Sequence, residues 1–245
     1  MTHYSLWLSE PNFICTEVAL ACGVKRVLLD IEHGAFPIDK LSSYVAFAKA
    51  SGMHVLAKVA GPTAEAIQQA IDVGVDGVII PHITSAAQAR ELCATAKFPP
   101  RGTRSYAGGR TVNYMAPPSD YCQREDARLL CLPMIESAGA MAEVEAILAL
   151  DTVDGIFPGP TDLALTSGRG QYVFDGENRK DLERCAKAAR AAGKIWVMPA
   201  WTAAERAFAV EHGAQEIVVG TQTSLIRNAI VAMQNTLRAE GIAID

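Results

Sequence analysis

The chain has 245 residues, half of them hydrophobic, a formal net charge of -5 and six cysteines. That length and apolar share suit one large core or two small ones, and the mild negative charge leaves no electrostatic footprint for nucleic acid. The cysteines form no CxxC pair, which argues against a zinc knuckle. The opening Met1-Thr2-His3-Tyr4 has no basic segment ahead of a long apolar run, so no secretory leader is expected. No apolar run reaches the roughly 20 residues of a membrane span. The expectation is a cytoplasmic protein with reduced thiols, without nucleic-acid or membrane partners.

Short apolar runs alternate with Ala-rich segments of helical spacing. In chain order the pattern predicts strand 5–8, helix 12–22, strand 26–30, helix 38–50, strand 54–59, helix 64–73, strand 77–81 and helix 86–96. It continues with strand 129–135, helix 138–148, strand 155–157, helix 179–192, strand 195–198, helix 203–212, strand 216–220 and helix 224–239. Eight strand–helix units predict an α/β fold, a (β/α)8 TIM barrel, with one domain over residues 1–245. Gly23, Gly52, Gly74, Gly193 and Gly213 each follow a helical pattern, where a left-handed cap is wanted. Two irregular stretches interrupt the alternation, residues 99–126 and 166–178. Both are read as lying on the active face, and a loop as long as 99–126 in a compact domain is usually functional or disordered.

Charged residues at the ends of buried strands are costly without a purpose, and in a parallel barrel those ends form the active face. Glu136 ends the run Leu132-Pro133-Met134-Ile135, and Asp162 follows Phe157-Pro158-Gly159-Pro160-Thr161. Neighbouring strands are about 4.8 Å apart, so the two carboxylates can share one hard cation (Mg²⁺, Mn²⁺ or Co²⁺) and leave positions for substrate. The alternative is a helix cap at Asp162 and an arginine pair at Glu136. Asp30-Ile31-Glu32-His33-Gly34 follows the second strand, and a carboxylate beside a histidine sets its tautomer for proton transfer. His82 occupies a similar place without a neighbouring carboxylate in sequence and ranks below His33. Lys58, near the end of the third strand, could bind a substrate oxygen, form a Schiff base, or pair with Glu32. Gly159-Pro160-Thr161 is either an anion-binding helix start or a tight turn. Trp7 could floor the pocket; Arg101, Arg104 and Arg110 are candidates for an anionic substrate.

Leu6-Trp7-Leu8, Leu28-Leu29-Asp30-Ile31-Glu32-His33-Gly34, Pro99-Pro100-Arg101-Gly102 with Arg104, Met134-Ile135-Glu136 and Phe157 through Leu163 occur in order at fitting intervals. Together they resemble the HpcH/HpaI aldolase family, the metal-dependent class II pyruvate aldolases, over nearly the whole chain. The resemblance implies a carbon–carbon lyase that cleaves a 4-hydroxy-2-oxo acid to pyruvate, or a related oxo acid, and an aldehyde through an enolate. It implies Glu136 and Asp162 as ligands of a divalent metal and His33 as the acid–base residue, oriented by Asp30. It implies the backbone of Gly159, Pro160 and Thr161 around the substrate carboxylate, and a homo-oligomer, usually a hexamer, with the last helix exchanged between subunits. Two positions depart from the family pattern: Lys58 stands where arginine is usual, and Met134 stands where glutamine often contacts the oxo acid. Other readings of the same barrel are an oxo-acid decarboxylase, a citrate-lyase-like CoA-ester lyase and a non-catalytic relative.

Overall fold

A computed structural model describes residues 2–243. Eight parallel strands close into a barrel in sequence order. They are β1 (His3–Leu8), β2 (Arg26–Asp30), β3 (His54–Lys58), β4 (Gly77–Ile80), β5 (Leu130–Ile135), β6 (Gly155–Pro158), β7 (Ile195–Pro199) and β8 (Glu216–Thr221). The helices are α1 (Phe13–Ala21), α2 (Ile38–Ala50), α3 (Ala64–Asp72), α4 (Ala86–Ala94), α5 (Tyr121–Arg128), α6 (Ala138–Ala142) and α7 (Val144–Leu148). After them come α8 (Pro160–Thr166), α9 (Gly176–Ala191), α10 (Ala203–Glu211) and α11 (Gln222–Ala239). The expected (β/α)8 architecture is therefore present, and each expected strand lies within two residues of an observed one.

The helix ends follow their local chemistry. Asn12, Thr63, Ser85, Ser137 and Thr202 cap helices through side-chain oxygens that accept backbone N–H groups. Gly23, Gly52, Gly74, Gly193 and Gly213 all have positive φ, between 64° and 97°, as their place after a helix requires. The expected helix 138–148 is broken at Glu143 into α6 and α7.

The strands sort their side chains with a period of two. Val27 and Leu29 of β2 join the core between barrel and helices, whereas Leu28 joins an inner core with Leu56, Ile79, Leu132, Met134, Phe157, Val197 and Val218. Extending the inner rows by two residues leads from Leu28 to Asp30, from Leu56 to Lys58, from Met134 to Glu136 and from Phe157 to Gly159. Asp30 and Lys58 are register partners across β2 and β3. The apolar plug and the charged layer above it are thus consecutive turns of one pattern.

The segment 99–126 departs from expectation. It contains a 3-10 turn (Gly109–Val112) and most of α5, and it lies within the connection from α4 to β5. A helix-to-strand connection returns to the amino-terminal end of the barrel, so this segment lies opposite the active face. Arg101 bonds Asp151 through both its side chain (3.1 Å) and its carbonyl (2.6 Å). Arg104 is buried, pairs with Glu125 at 3.3 Å and stacks 4.4 Å from the Phe98 ring centroid. The expectation that Arg104 binds substrate is corrected: within this subunit it is a structural cation beneath the barrel. The segment 166–178, between α8 and α9, does lie on the face of the strand carboxyl ends.

Candidate active site at the barrel mouth

A pocket of about 200 Å³ opens at the carboxyl ends of the strands, lined by Trp7, His33, Lys58, Met134, Phe157 and Asp162, among others. The same wall includes Gly159, Pro160, Thr161, Pro199 and Trp201. Trp7 packs against Phe157 and Trp201 at centroid distances of 6.1 and 6.2 Å, forming an aromatic side to the pocket. The residues expected at the site from sequence, other than Arg101, Arg104 and Arg110, meet here or touch residues that do.

Glu136 directly follows β5 and is buried. Its Oε1 accepts the His82 backbone N–H at 2.5 Å. Its Oε2 sits where a Cβ on residue 159 would come within 2.9 Å, and the Glu136 Cβ would be 2.7 Å away. Only glycine fits this position, and its missing side chain leaves the carboxylate space. Asp162 lies in the first turn of α8 and is exposed. Burial raises the Glu136 pKa, and the Asp162 charge adds to the rise; Lys58 and His82 oppose it. The two carboxylates therefore repel across a shared space, a strain that a cation between them would relieve.

Glu32 is the centre of a second network: its pair with Lys58 is one of the alternatives read from sequence, and its contact with His82 is new. Its Oε2 lies 2.6 Å from Lys58 Nζ and 3.6 Å from His33 Nε2, while Oε1 bonds His82 Nε2. Burial pushes the Glu32 pKa up, but Lys58 and His82 outweigh it and hold it below the usual value. His82 reaches both networks because its backbone has a positive φ of 57°, an uncommon conformation for a residue with a side chain. A histidine after a strand gives no hint of that turn in sequence.

Two expected details change. Asp30 does not grip the His33 ring: its Oδ1 accepts the His33 backbone N–H and its Oδ2 accepts the Trp7 indole N–H, each at 3.1 Å. The spacing of three residues closes a turn, so the carboxylate meets main chain, and the imidazole is nearer Glu32. The Gly159 N–H is also unavailable to a ligand, because it donates to the Ile135 carbonyl at 3.0 Å, and Pro160 has none to donate. The amide groups of Thr161 and Asp162 in the first turn of α8 are the ones left without intrahelical partners.

The HpcH/HpaI aldolase/citrate lyase family model matches residues 3–229. The chain belongs to this family. A hydroxypyruvate/pyruvate aldolase of Delftia acidovorans is 29% identical over 238 residues, covering 96% of this chain and 88% of that protein. A 2-keto-3-deoxy-L-rhamnonate aldolase of Klebsiella pneumoniae is 30% identical over 238 residues, covering 94% and 86%. The solved HpcH/HpaI aldolase of Desulfitobacterium hafniense superposes with a TM-score of 0.89 at 24% identity, covering 97% of this chain and 93% of that one. This HpcH/HpaI protein is accordingly an aldolase, a carbon–carbon lyase. The family depends on divalent metal. The residues present fit such an ion: Glu136 and Asp162 are two hard oxygen donors close enough for the charge of one to raise the pKa of the other, and a two-carboxylate set leaves the remaining positions open. Among the described residues no group of three or more His, Cys, Asp or Glu side chains is placed to hold a metal.

Proposed function

We propose that this aldolase reversibly cleaves a 4-hydroxy-2-oxo acid into pyruvate, or a close oxo-acid analogue, and an aldehyde. The observation that carries the reading is the small pocket lined by Asp162 and Lys58, with the buried Glu136 carboxylate beside it, within electrostatic reach of both. The relatives named for pyruvate and 2-keto acids support an oxo acid as donor.

Glu136 and Asp162 would hold the divalent ion, Mg²⁺, Mn²⁺ or Co²⁺. Such an ion, when bound, supplies Lewis acidity toward a keto oxygen. Lys58 donates to that oxygen as negative charge develops on it in the enolate. The ammonium is held by Glu32 at 2.6 Å and lies 5.8 Å from the Trp7 ring centroid. A Schiff base at Lys58 would require it to leave that pair. As a point charge, Lys58 lacks the planar fork of an arginine. The Thr161 and Asp162 amides donate to the substrate carboxylate. Met134 and Phe157 enclose the methyl end and contribute no donor from their side chains. At the rim, His33 takes the 4-hydroxyl proton during cleavage and returns it in synthesis, with Asp30 fixing the main chain that carries it.

Proton NMR of pyruvate in D₂O tests this without a choice of aldehyde. The expected result is loss of the methyl signal that needs both protein and divalent metal, with paramagnetic metal removed before readout. Absence of exchange with every metal would reject pyruvate as the donor. Lys58→Arg is expected to keep or raise the exchange rate; its loss would give lysine a role that charge alone does not explain.

The assembly is proposed on the same footing. Leu225, Ile226, Ile230, Val231 and Met233 of α11 are exposed, as are Phe13, Ile14 and Val18 of α1. Gln222 at the root of α11 is buried and donates to Glu10 at 2.7 Å, which anchors the helix start. An apolar helix standing off its own barrel suits exchange with a second copy, and a hexamer is the assembly the family resemblance implies. Light scattering behind size exclusion checks it; a monomer would reject it. No helix among the described residues is long and apolar enough to cross a membrane. All six cysteines are free, in keeping with a cytoplasmic setting.

A further inference from the structure

A cavity of about 430 Å³ lies at the opposite end of the barrel, where α2 and α3 end and where β4 and β5 begin. Lys49, Asp76, Arg110, Tyr121, Glu125 and Arg128 are among the residues lining it. Its two carboxylates are fully engaged. Lys49 Nζ lies 2.6 Å from both oxygens of Asp76, Arg128 donates to Oδ1 at 2.8 Å, and the Val55 amide donates to Oδ2 at 2.8 Å. Arg128 donates to both oxygens of Glu125 at 2.9 Å, and Arg104 reaches Oε1 at 3.3 Å.

Arg110 is different. Among the described residues it pairs with no carboxylate, and its guanidinium donates only to the Ser42 hydroxyl at 3.2 Å. Its stem crosses the end of α3 at Gly74, where a Cβ would stand 3.2 Å from the Arg110 Cδ. Gly74 also has a φ of 97°, so glycine serves both the helix stop and the passage of this arginine. Asp72 is within electrostatic reach of Arg104. With Asp72 counted, the four cations Lys49, Arg104, Arg110 and Arg128 still face only the three acids Asp72, Asp76 and Glu125. Arg124 at the rim is already balanced by Asp120 at 3.1 Å. A second observation is independent of charge: Tyr121, only 9% exposed, has a buried hydroxyl without a hydrogen-bond partner among the described residues. An unmet buried polar group is unfavourable unless something supplies its partner.

We propose that this cavity binds a small oxyanion, with the phosphate or carboxylate group of the ligand held by Arg110 and the Tyr121 hydroxyl. The site supplies surplus cationic donors while both of its carboxylates are already engaged, which is the complement of an anion with several oxygens. It is separated from the mouth by the apolar plug and does not depend on the reaction assigned there. An anion here ties the excursion 109–128 to the ends of α2 and α3.

The test is a thermal-shift and calorimetric titration of the full-length protein with inorganic phosphate, with succinate as the dicarboxylate arm and chloride at matched ionic strength as control. A ligand that binds the native state raises Tm saturably with concentration. Phosphate, succinate or both should do so, and chloride should not. Lys58→Met, which removes the cation of the mouth, should keep the response. Arg110→Gln should weaken it about tenfold or more, the loss of one charge-assisted contact, and Tyr121→Phe should weaken it several-fold with the wild-type circular dichroism retained. Should Arg110→Gln not fold, Tyr121→Phe and Arg110→Lys decide the matter. No saturable response to either anion, or an unchanged response in the Arg110 and Tyr121 variants, overturns the proposal.

Discussion

The two ends of this barrel hold their charges in opposite ways. At the amino-terminal end Glu125 lies between Arg104 and Arg128, and Asp76 lies between Lys49 and Arg128. At the mouth Asp30, Glu32, Glu136 and Asp162 surround one lysine. Burial pushes both Glu125 and Glu136 toward protonation, yet Glu125 ends below the usual carboxylate range and Glu136 above it. The difference is the count of cations within reach. One end has its carboxylates enclosed by ion pairs that support the fold, with Arg110 to spare; the other is short of positive charge, and that shortage suits a metal ion.

Removing a carboxylate from the mouth should break this contrast most severely. Glu136→Ala or Asp162→Ala is expected to lower metal-dependent exchange by about 10³-fold or more, the scale of losing a principal electrostatic stabiliser. Manganese binding followed by electron paramagnetic resonance should fall with it, while Tm in metal-free buffer holds or rises. Full activity after chelation and metal readdition would reject the ligand assignment.

At the other end the expected loss is in stability. Lys97 is completely buried, donates to the Asp126 and Leu129 carbonyls at 2.8 and 2.6 Å, and pairs with Asp154 at 2.7 Å. Lys97→Met strands these acceptors and should cost about 3–5 kcal/mol in denaturant unfolding, with kcat per folded molecule near wild type. A loss under 1 kcal/mol would mean that the acceptors find other partners.

The smallest effect sharpens the comparison through pH. Glu125 is held below its usual pKa by Arg128 and Arg104 against the opposing effect of burial. A depressed folded-state pKa means that the unfolded chain takes up the proton first on acidification. The contribution to stability is complete above the ordinary glutamate value and is lost as pH falls from there through the depressed one. Glu125→Gln should flatten the fall in Tm over that acid window; an undiminished slope would assign the acid sensitivity to other groups.

How much of this was legible depended on the range of the interaction. The barrel was legible because alternation and glycine stops are local, as at Gly52 ahead of β3. Glu136 and Asp162 were legible because a charge after an apolar run marks a strand end. The role of Glu32 was legible only in part: its pair with Lys58 was among the alternatives, but its contact with His82 was not, because that depends on a left-handed turn after another strand. Asp30 was assigned to the wrong part of His33, since a three-residue spacing does not distinguish ring from amide. The arginines of 99–126 were assigned to the wrong end of the barrel, although connectivity alone decides that point: a segment between a helix and the next strand belongs below.

The inner plug of Leu28, Leu56, Ile79, Leu132, Met134, Phe157, Val197 and Val218 has a consequence for the layer above it. It is a dry, weakly polarisable floor directly beneath Asp30, Lys58 and Glu136. Field lines between those charges cannot be dissipated downward into water and are concentrated in the small volume at the mouth. The same leucines that close the barrel therefore act as an insulator, and the electric field at the substrate is shaped by residues that never touch it.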